Sequence, residues 1–516
     1  MKDRRGIKKR VAGRYRRKRN PSRALHQSAT RTGLQARRFT SLLRQTVDQL
    51  LPRNSKVLVV REGDQGLIRF DKFRAAPFPH KNSGPYCFSS ASSAAAICHL
   101  EAVRFQGAEY LVVAAAARGW LETYPDFIRH LQRRYAIAQS LPDGATIYDL
   151  GQRSHWLELD EAINDFKINF NREPAILNWN CEFQFSEIFP ECRWFRPPSA
   201  KSETLPYLDK TIDFVVVSAN NPARLEEARR VAIASVIRVK TAPSPDSTPS
   251  FSVERPSHHG NEKQPFVSII VAQSDVDLPF QRRLVFLRES VPPGLRYEIL
   301  VQIVAGRARK QLNKTNRKKK HPEGYRQISA LEDAKNANGD IVIFLGPTML
   351  PLAGWLSPLL RLFAEQSDAG VVSGRIVNFD GTQNHIGGIA GRNGSVELLG
   401  TDEVDPASPA YGFVRELDFC ATTFLAIRGS LMRRMAIPPN LGLRDVSSMA
   451  RFCSLIRDHG YRVYFEPDCW VITYVPATSG FGNWSGKEKS AAVNLSDHSA
   501  TTPCPGNSSH RSRSSQ

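Results

Sequence analysis

Apolar positions along the chain fall into short β-branched runs separated by longer stretches with helical spacing. The spacing predicts a helix from about Thr40 to Leu51, and the run Val57 to Val60 is short and β-branched enough for a buried strand. Ala94 to Phe105 reads as a helix, Glu109 to Ala114 as a strand, Trp120 to Tyr135 as an amphipathic helix and Ala145 to Asp149 as a strand. Elements alternating in this way imply a parallel sheet with helices packed on it. A second set follows, with strands at Ala175 to Asn178 and Phe214 to Val217 and a charged helix from Pro222 to Ile237. A third begins at Phe266, where "FVSIIVAQSDVD" and "YEILVQIV" give two strands and "AKNANGDIVIFLGPTMLPLAGWLSPLL" gives a helix end, a strand, a turn and a helix.

The punctuation between these sets divides the chain. Residues 241 to 264, "TAPSPDSTPSFSVERPSHHGNEKQ", are rich in Pro, Ser and charge without apolar periodicity, and read as a linker. The end, "PCPGNSSHRSRSSQ", has the same character. The expected organisation is a basic disordered arm (1–45), an α/β domain (46–150), a second α/β domain (151–240), the linker, a third domain (265–478) and a disordered tail (479–516). At 516 residues the chain is too long for one ordinary core, so a modular fold is the expectation.

Charge changes this picture at one end only. Residues 1 to 45 hold sixteen Lys or Arg against Asp3 alone, leaving about +6 of the net +21 for everything else. Clustered cations around Arg14, Arg16, Arg17, Lys18 and Arg19 suit an anionic membrane surface or another polyanion. A solvated tail with no dedicated ligand is the alternative. The eight cysteines form no CxxC pair, which argues against a disulfide framework or structural zinc. No run reaches the roughly 18 to 20 apolar residues a membrane span needs, and no apolar segment follows the N-terminal charges as in a secretory signal. The expected location is cytoplasmic, peripheral at the inner face of a membrane if the arm anchors there.

Two resemblances attach to these residues. The middle set resembles a class I methyltransferase: "AILNWNCEF" stands where that family has its first strand and glycine-rich turn, and "LPYLDKTIDFVVVS" where it has an acidic turn and the following strand, at Asp213. The glycines are replaced by Asn178, Trp179, Asn180 and Cys181, whose Cβ atoms would obstruct a cofactor lying on the backbone. The segment from "FPHKNSGPYCF" to "HLQRRY" is similar to a module found ahead of glycosyltransferase domains in large bacterial proteins.

The third set resembles a family 2 glycosyltransferase through about 210 residues. Its marks run from "FVSIIVAQSDVD" through "GVVSGRIVNFDGTQNHIGGI" and "LDFCATTFLAIRGSLMRRM" to "RFCSLIRDHGYRVYFEPDCWVITY". The resemblance implies two small Rossmann-like α/β units followed by a nucleotide-sugar-binding domain of GT-A type. It also implies a nucleotide-sugar donor, a saccharide or lipid-linked acceptor, and a role in bacterial surface polysaccharide assembly.

Several family positions have changed. An acidic pair after the third strand ordinarily holds Mg²⁺ or Mn²⁺ against the leaving diphosphate, but Gly346, Pro347 and Thr348 stand there. Ile303 replaces the acidic residue that meets the base, Thr473 replaces a histidine after the last strand, and Ser448 and Met449 occupy the positions of the general base. The resemblance then leaves Asp445, about one turn earlier, as the base. Asp380 and His385, in "DGTQNHIGG", become donor-binding residues, with Gly381, Thr382, Gly387 and Gly388 kept around them. Turn geometry alone accounts for the Gly and Asp. The run Arg307 to Lys320 offers Lys318, Lys319 and Lys320 as phosphate-binding cations in place of a metal, or is a solvated loop. Gly354 and Trp355 match a helix-start element in which Trp355 packs. The alternative to an active transferase is a pseudo-enzyme binding glycan or a partner at the membrane. Nucleic acid is disfavoured, because no reading motif accompanies the basic arm.

Overall fold

The computed structural model describes residues 41–474 apart from 42, 61–71, 80–91, 142–144, 171, 180–184, 198–203, 219–220, 241–249, 255–264, 274–279, 293, 304–324, 329–330, 391–395, 402, 422 and 436–445. Asp445, Lys318, Lys319, Lys320, most of the basic arm and the tail therefore lie outside the described residues.

Three sheets account for the α/β pattern. The front sheet is ordered Arg74–Phe78, Lys56–Val60, Tyr110–Val113, Thr146–Arg153, Tyr135–Ser140. Its first three strands are parallel, but Thr146–Arg153 runs antiparallel to both of its neighbours, so the all-parallel expectation fails there. The stretch Trp120 to Tyr135, expected as one helix, is two, Arg118–Thr123 and Pro125–Arg134. Pro125 cannot donate to the preceding turn and starts a new helix instead. Helix Ser93–Phe105 is capped by Ser92, whose hydroxyl accepts from the Ala95 amide at 3.2 Å.

The middle sheet is ordered Ser250–Glu254, Ala232–Lys240, Ile212–Ser218, Ala175–Trp179, Arg193–Phe195. Here the expected helix Pro222 to Ile237 stops at Val231, and Ala232–Lys240 is a strand. The β-branched sequence "AIASVIRVK" favours the pleated surface over a continued helix. Ser250–Glu254 falls inside the stretch read as linker, yet it pairs antiparallel with Ala232–Lys240. Phe251 anchors it by stacking on Trp156, with ring centroids 4.7 Å apart.

The C-terminal sheet carries the element order that positions the site. Its strands run Tyr325–Ile328, Tyr297–Ile303, Val267–Gln273, Ile341–Leu345, Phe424–Arg428, Ala369–Val377, Arg462–Thr473, Met349–Pro351, with Arg415–Leu417 beside Arg462–Thr473. The first four are parallel and Phe424–Arg428 is antiparallel to both of its neighbours. The chain thus steps outward from Val267–Gln273 on one side and returns to Ile341–Leu345 on the other. In such sheets the crevice at the carboxyl ends of the two strands flanking this reversal is where ligands bind.

The three units share interfaces. Leu350, Val377, Phe379, Ile472 and Tyr474 of the C-terminal unit belong to the same buried cluster as Leu58, Leu100, Phe105 and Leu111 of the front unit. Front and middle units meet at Arg133, whose guanidinium donates to the Ile188 carbonyl at 3.0 Å and pairs with Glu191 at 2.9 Å and Asp160 at 3.4 Å.

Candidate functional site

At the reversal point of the C-terminal sheet stands Arg283, on helix Phe280–Ser290 and only 2 % exposed. Its Nη1 donates to the Ala272 carbonyl at 2.7 Å and its Nε to that of Met349 at 3.1 Å, while Nη2 donates to the Gly346 carbonyl. One cation thus ties the end of the first strand to the turn after the fourth. The turn is gripped from its other side by Tyr474, whose hydroxyl donates to the Pro347 carbonyl at 2.7 Å and whose amide donates to that of Thr348 at 3.1 Å. Sequence reading missed both residues. The signal for Arg283 was its place on the apolar stripe it shares with Leu284 and Leu287, all three buried.

This turn does not fit a divalent metal. Hard cations take oxygen ligands, with carboxylates balancing their charge, and Gly346, Pro347 and Thr348 bring no carboxylate. The carbonyl of Gly346 is already spent on a guanidinium, and no group of three or more His, Cys, Asp or Glu side chains suited to a metal occurs among the described residues.

Asp380 and His385 occupy a different place. Asp380 closes a tight turn: its Oδ1 accepts from the Thr382 amide at 3.1 Å and the Thr382 hydroxyl at 2.7 Å. Gly381 follows with φ +85°, and a Cβ there would come within 2.2 Å of the Ala95 carbonyl oxygen on helix Ser93–Phe105 of the front unit. Beside it, the buried His99 ring bonds through Nδ1 to the Phe379 carbonyl at 2.7 Å. The loop is therefore seated against the front unit. His385 is partly buried, burial pulls its pKa down, and its Nδ1 has no hydrogen-bond partner.

The loop is braced from below by Arg375, 2 % exposed, which donates to Gln383 Oε1 at 2.9 Å, to the Pro467 carbonyl at 3.1 Å and to the Tyr411 carbonyl at 2.7 Å, and lies 4.7 Å over the Trp470 ring. Buried guanidinium groups satisfied by carbonyls in this way fix a loop's path at the cost of desolvation.

Other sequence-derived positions resolve as packing. Met449, which stands where the family has an acidic residue, is a buried packing residue with its Sδ 3.6 Å from Cys420 Sγ. Trp355 is fully buried, donating from Nε1 to the Ser290 hydroxyl at 3.1 Å. In the middle unit Asp213 accepts both terminal nitrogens of Arg172, at 2.6 and 2.7 Å, and the Ala175 amide at 2.8 Å. It lies within strand Ile212–Ser218, the strand expected after the acidic turn, and its carboxylate is taken up by Arg172 and the Ala175 amide.

The same strand that bears Trp470 also carries a buried carboxyl that sequence reading did not single out. Glu466 is 1 % exposed; Oε1 accepts from the Asp468 amide at 3.1 Å and Oε2 has no partner. Burial pushes its pKa up to about 7, against the Asp468 amide hydrogen bond, which pulls it down.

No family model and no curated protein matches the chain. Among solved structures it is similar to GalNAc-T7, determined with UDP, GalNAc and Mn²⁺, at 13% identity and a TM-score of 0.32, over 43% of this chain and 46% of that one. It is also similar to the mannosyltransferase PcManGT from Pyrobaculum calidifontis, in complex with GDP-Man and Mn²⁺, at 18% identity and a TM-score of 0.27, over 42% of this chain and 58% of that one. The chain thus spans about half the length of each. No helix among the described residues is long and apolar enough to cross a membrane.

Proposed function

We propose that the C-terminal unit binds a nucleotide sugar in the crevice between the carboxyl ends of Val267–Gln273 and Ile341–Leu345. In this reading the protein is a relative of the family 2 glycosyltransferases, serving transfer from a nucleotide-sugar donor to a glycan or lipid-linked acceptor in bacterial surface polysaccharide assembly. The observation that carries the reading is the strand order with its reversal at this crevice, which is where such sheets accept nucleotides. Arg283 supplies fixed positive charge beneath the crevice, favouring a diphosphate above it without a metal. Asp445 as base, Asp380 and His385 as donor contacts, and Lys318, Lys319 and Lys320 as phosphate clamps belong to this proposal.

The turn at Gly346, Pro347 and Thr348 favours a second reading, a non-catalytic scaffold that binds nucleotide sugar or glycan without turnover. Metal and general base supply much of the rate in transferases that have both. Calorimetric titration of the full chain with UDP, GDP and their sugar conjugates, with and without Mn²⁺, tests the site. Binding with an affinity that Mn²⁺ leaves unchanged is the expected result, and no binding by any of them would refute the nucleotide site. Turnover with Asp445→Asn inactive would decide for the transferase; binding without turnover decides for the scaffold.

The basic arm, in the same proposal, holds the protein at an anionic membrane surface. Deleting residues 1–40 is expected to remove salt-sensitive binding to acidic vesicles, and unchanged binding at low salt would reject the anchor.

A further inference from the structure

The three units line a cleft of about 1040 Å³ at the amino end of strand Tyr297–Ile303, away from the carboxyl ends that form the crevice. Its walls come from the ends of Pro125–Arg134 and Thr146–Arg153 in the front unit, from helix Leu157–Phe170 in the middle unit, and from Arg288, Pro292, Tyr297, Gly354 and Asp468 in the C-terminal unit. Tyr297 begins the strand that pairs in parallel with Val267–Gln273, whose carboxyl end borders the crevice. Seven residues at about 3.3 Å each put the two sites roughly 20 Å apart. The cleft is at the upper end of the volumes of about 300–1,000 Å³ that hold small ligands, so it has room for a short chain of linked units.

Its chemistry narrows the ligand. Six Lys and Arg side chains face it with five carboxylates, so the lining is nearly neutral. Much of that charge is already engaged: Arg153 pairs with Glu289 at 3.2 Å, Lys167 with Glu173 at 2.8 Å, and Arg172 with Asp213. A strongly anionic or cationic ligand gains little from a balanced wall and must break these pairs to use it. An apolar ligand would strip water from eleven charged groups, at a large cost. A neutral polyol meets neither objection, because each hydroxyl donates to a carboxylate and accepts from a guanidinium without displacing their mutual pairing. Pro292 and Tyr297, both partly exposed, interrupt the charged lining with surfaces on which the C–H faces of sugar rings pack.

We propose that this three-way cleft is a second ligand site, which holds an uncharged saccharide segment about 20 Å from the nucleotide crevice. Its part in glycan assembly rests on the proposed function, but the binding itself does not. Such a site keeps a glycan on the protein while its far end is presented elsewhere, and it explains why three units are joined around one opening.

The test uses the full chain. Calorimetry with uncharged hexasaccharides of glucose, mannose, galactose and N-acetylglucosamine is compared with a polygalacturonate hexamer and an uncharged hexapeptide. Saturable binding of at least one neutral saccharide is expected. Asn164 lines the cleft and is exposed on its helix, so substitutions there leave the core untouched. Asn164→Trp should obstruct the opening and weaken binding about tenfold or more, and Asn164→Ala should weaken it by a smaller factor, with circular dichroism unchanged. Binding by none of the neutral saccharides overturns the proposal, as does undiminished binding by Asn164→Trp or tighter binding of the polyanion or the peptide. Glycan binding that persists while no nucleotide binds would refute the crevice and leave the cleft standing.

Discussion

Replacing Glu466 by Gln should stabilise the protein above neutral pH and do little near pH 4.5. The side chain is 1 % exposed, and only one of its two oxygens has a partner, the Asp468 amide at 3.1 Å. Burial raises the carboxyl from 4.5 to about 7; the Asp468 amide hydrogen bond and the Arg361 charge oppose it, while the Asp468 and Glu365 charges push in the same direction. Because the folded pKa is the higher one, the folded state holds its proton where the unfolded chain has released it. Stability therefore falls as pH rises from about 4.5 to about 7, and the penalty is complete above that. A rise of this size corresponds to roughly 3 kcal/mol. Gln carries no charge to desolvate, and its carbonyl oxygen can accept the same amide. Thermal or urea unfolding of both proteins at pH 5 and pH 8 reads the effect: the variant should gain roughly 2–3 kcal/mol on the parent at pH 8 and well under half of that at pH 5. An equal gain at both pH values, or a loss at pH 8, would show that the carboxyl is not held protonated by burial.

Gly381→Ala should cost roughly 2–5 kcal/mol, since it combines a left-handed backbone with a Cβ 2.2 Å from the Ala95 carbonyl; denaturant unfolding measures it, and a cost under about 0.5 kcal/mol would mean that the front unit is not seated there. Residues 265–478 made alone should aggregate or bind a hydrophobic dye, because Leu350, Val377, Phe379, Ile472 and Tyr474 lose their cover, a loss on the order of 5–10 kcal/mol. A monomeric, dye-silent fragment with a sharp melting transition would contradict the shared core.

What was legible in the sequence was what local patterning controls. The buried runs "VLVV", "VSIIVAQ" and "IVIFL" became central strands within a residue or two of their expected ends, because continuous β-branched and apolar residues between turn signals leave few alternatives. Places where two tendencies compete were misread. "RRVAIASVIRVK" has charged residues at helical spacing followed by alternating β-branched ones, and the changeover at Val231 is decided by pairing with Ile212–Ser218, a long-range contact. The linker strand Ser250–Glu254 depends in the same way on a partner, with Phe251 stacking on the distant Trp156. At the candidate site, the missing carboxylates of the Gly346 turn were visible by inspection. Arg283 filling the space beneath that turn was not, since its role depends on carbonyls at Ala272 and Met349 that the chain brings together only on folding.

The Asp380 loop shows how the same residues carry two meanings. A glycine with φ +85° flanked by Asp and Thr is what a ligand-facing loop and an interdomain seat both require, since each needs backbone to approach something closely. What approaches Gly381 in the folded chain is the Ala95 carbonyl, and the neighbouring Phe379 carbonyl bonds to His99. A donor touching Asp380 must therefore share its surroundings with helix Ser93–Phe105. That same helix reaches the crevice turn from its other end: Phe105 lies 4.5 Å from the Tyr474 ring and Gln106 Nε2 donates to the Tyr474 carbonyl at 2.7 Å. Through Tyr474 and Pro347, the front unit is mechanically continuous with the turn at which a nucleotide would sit. On the proposed reading, a ligand that shifts the turn also shifts the Tyr474 contact with the front unit, and a Gln106→Ala variant with altered nucleotide affinity would show that the two are coupled.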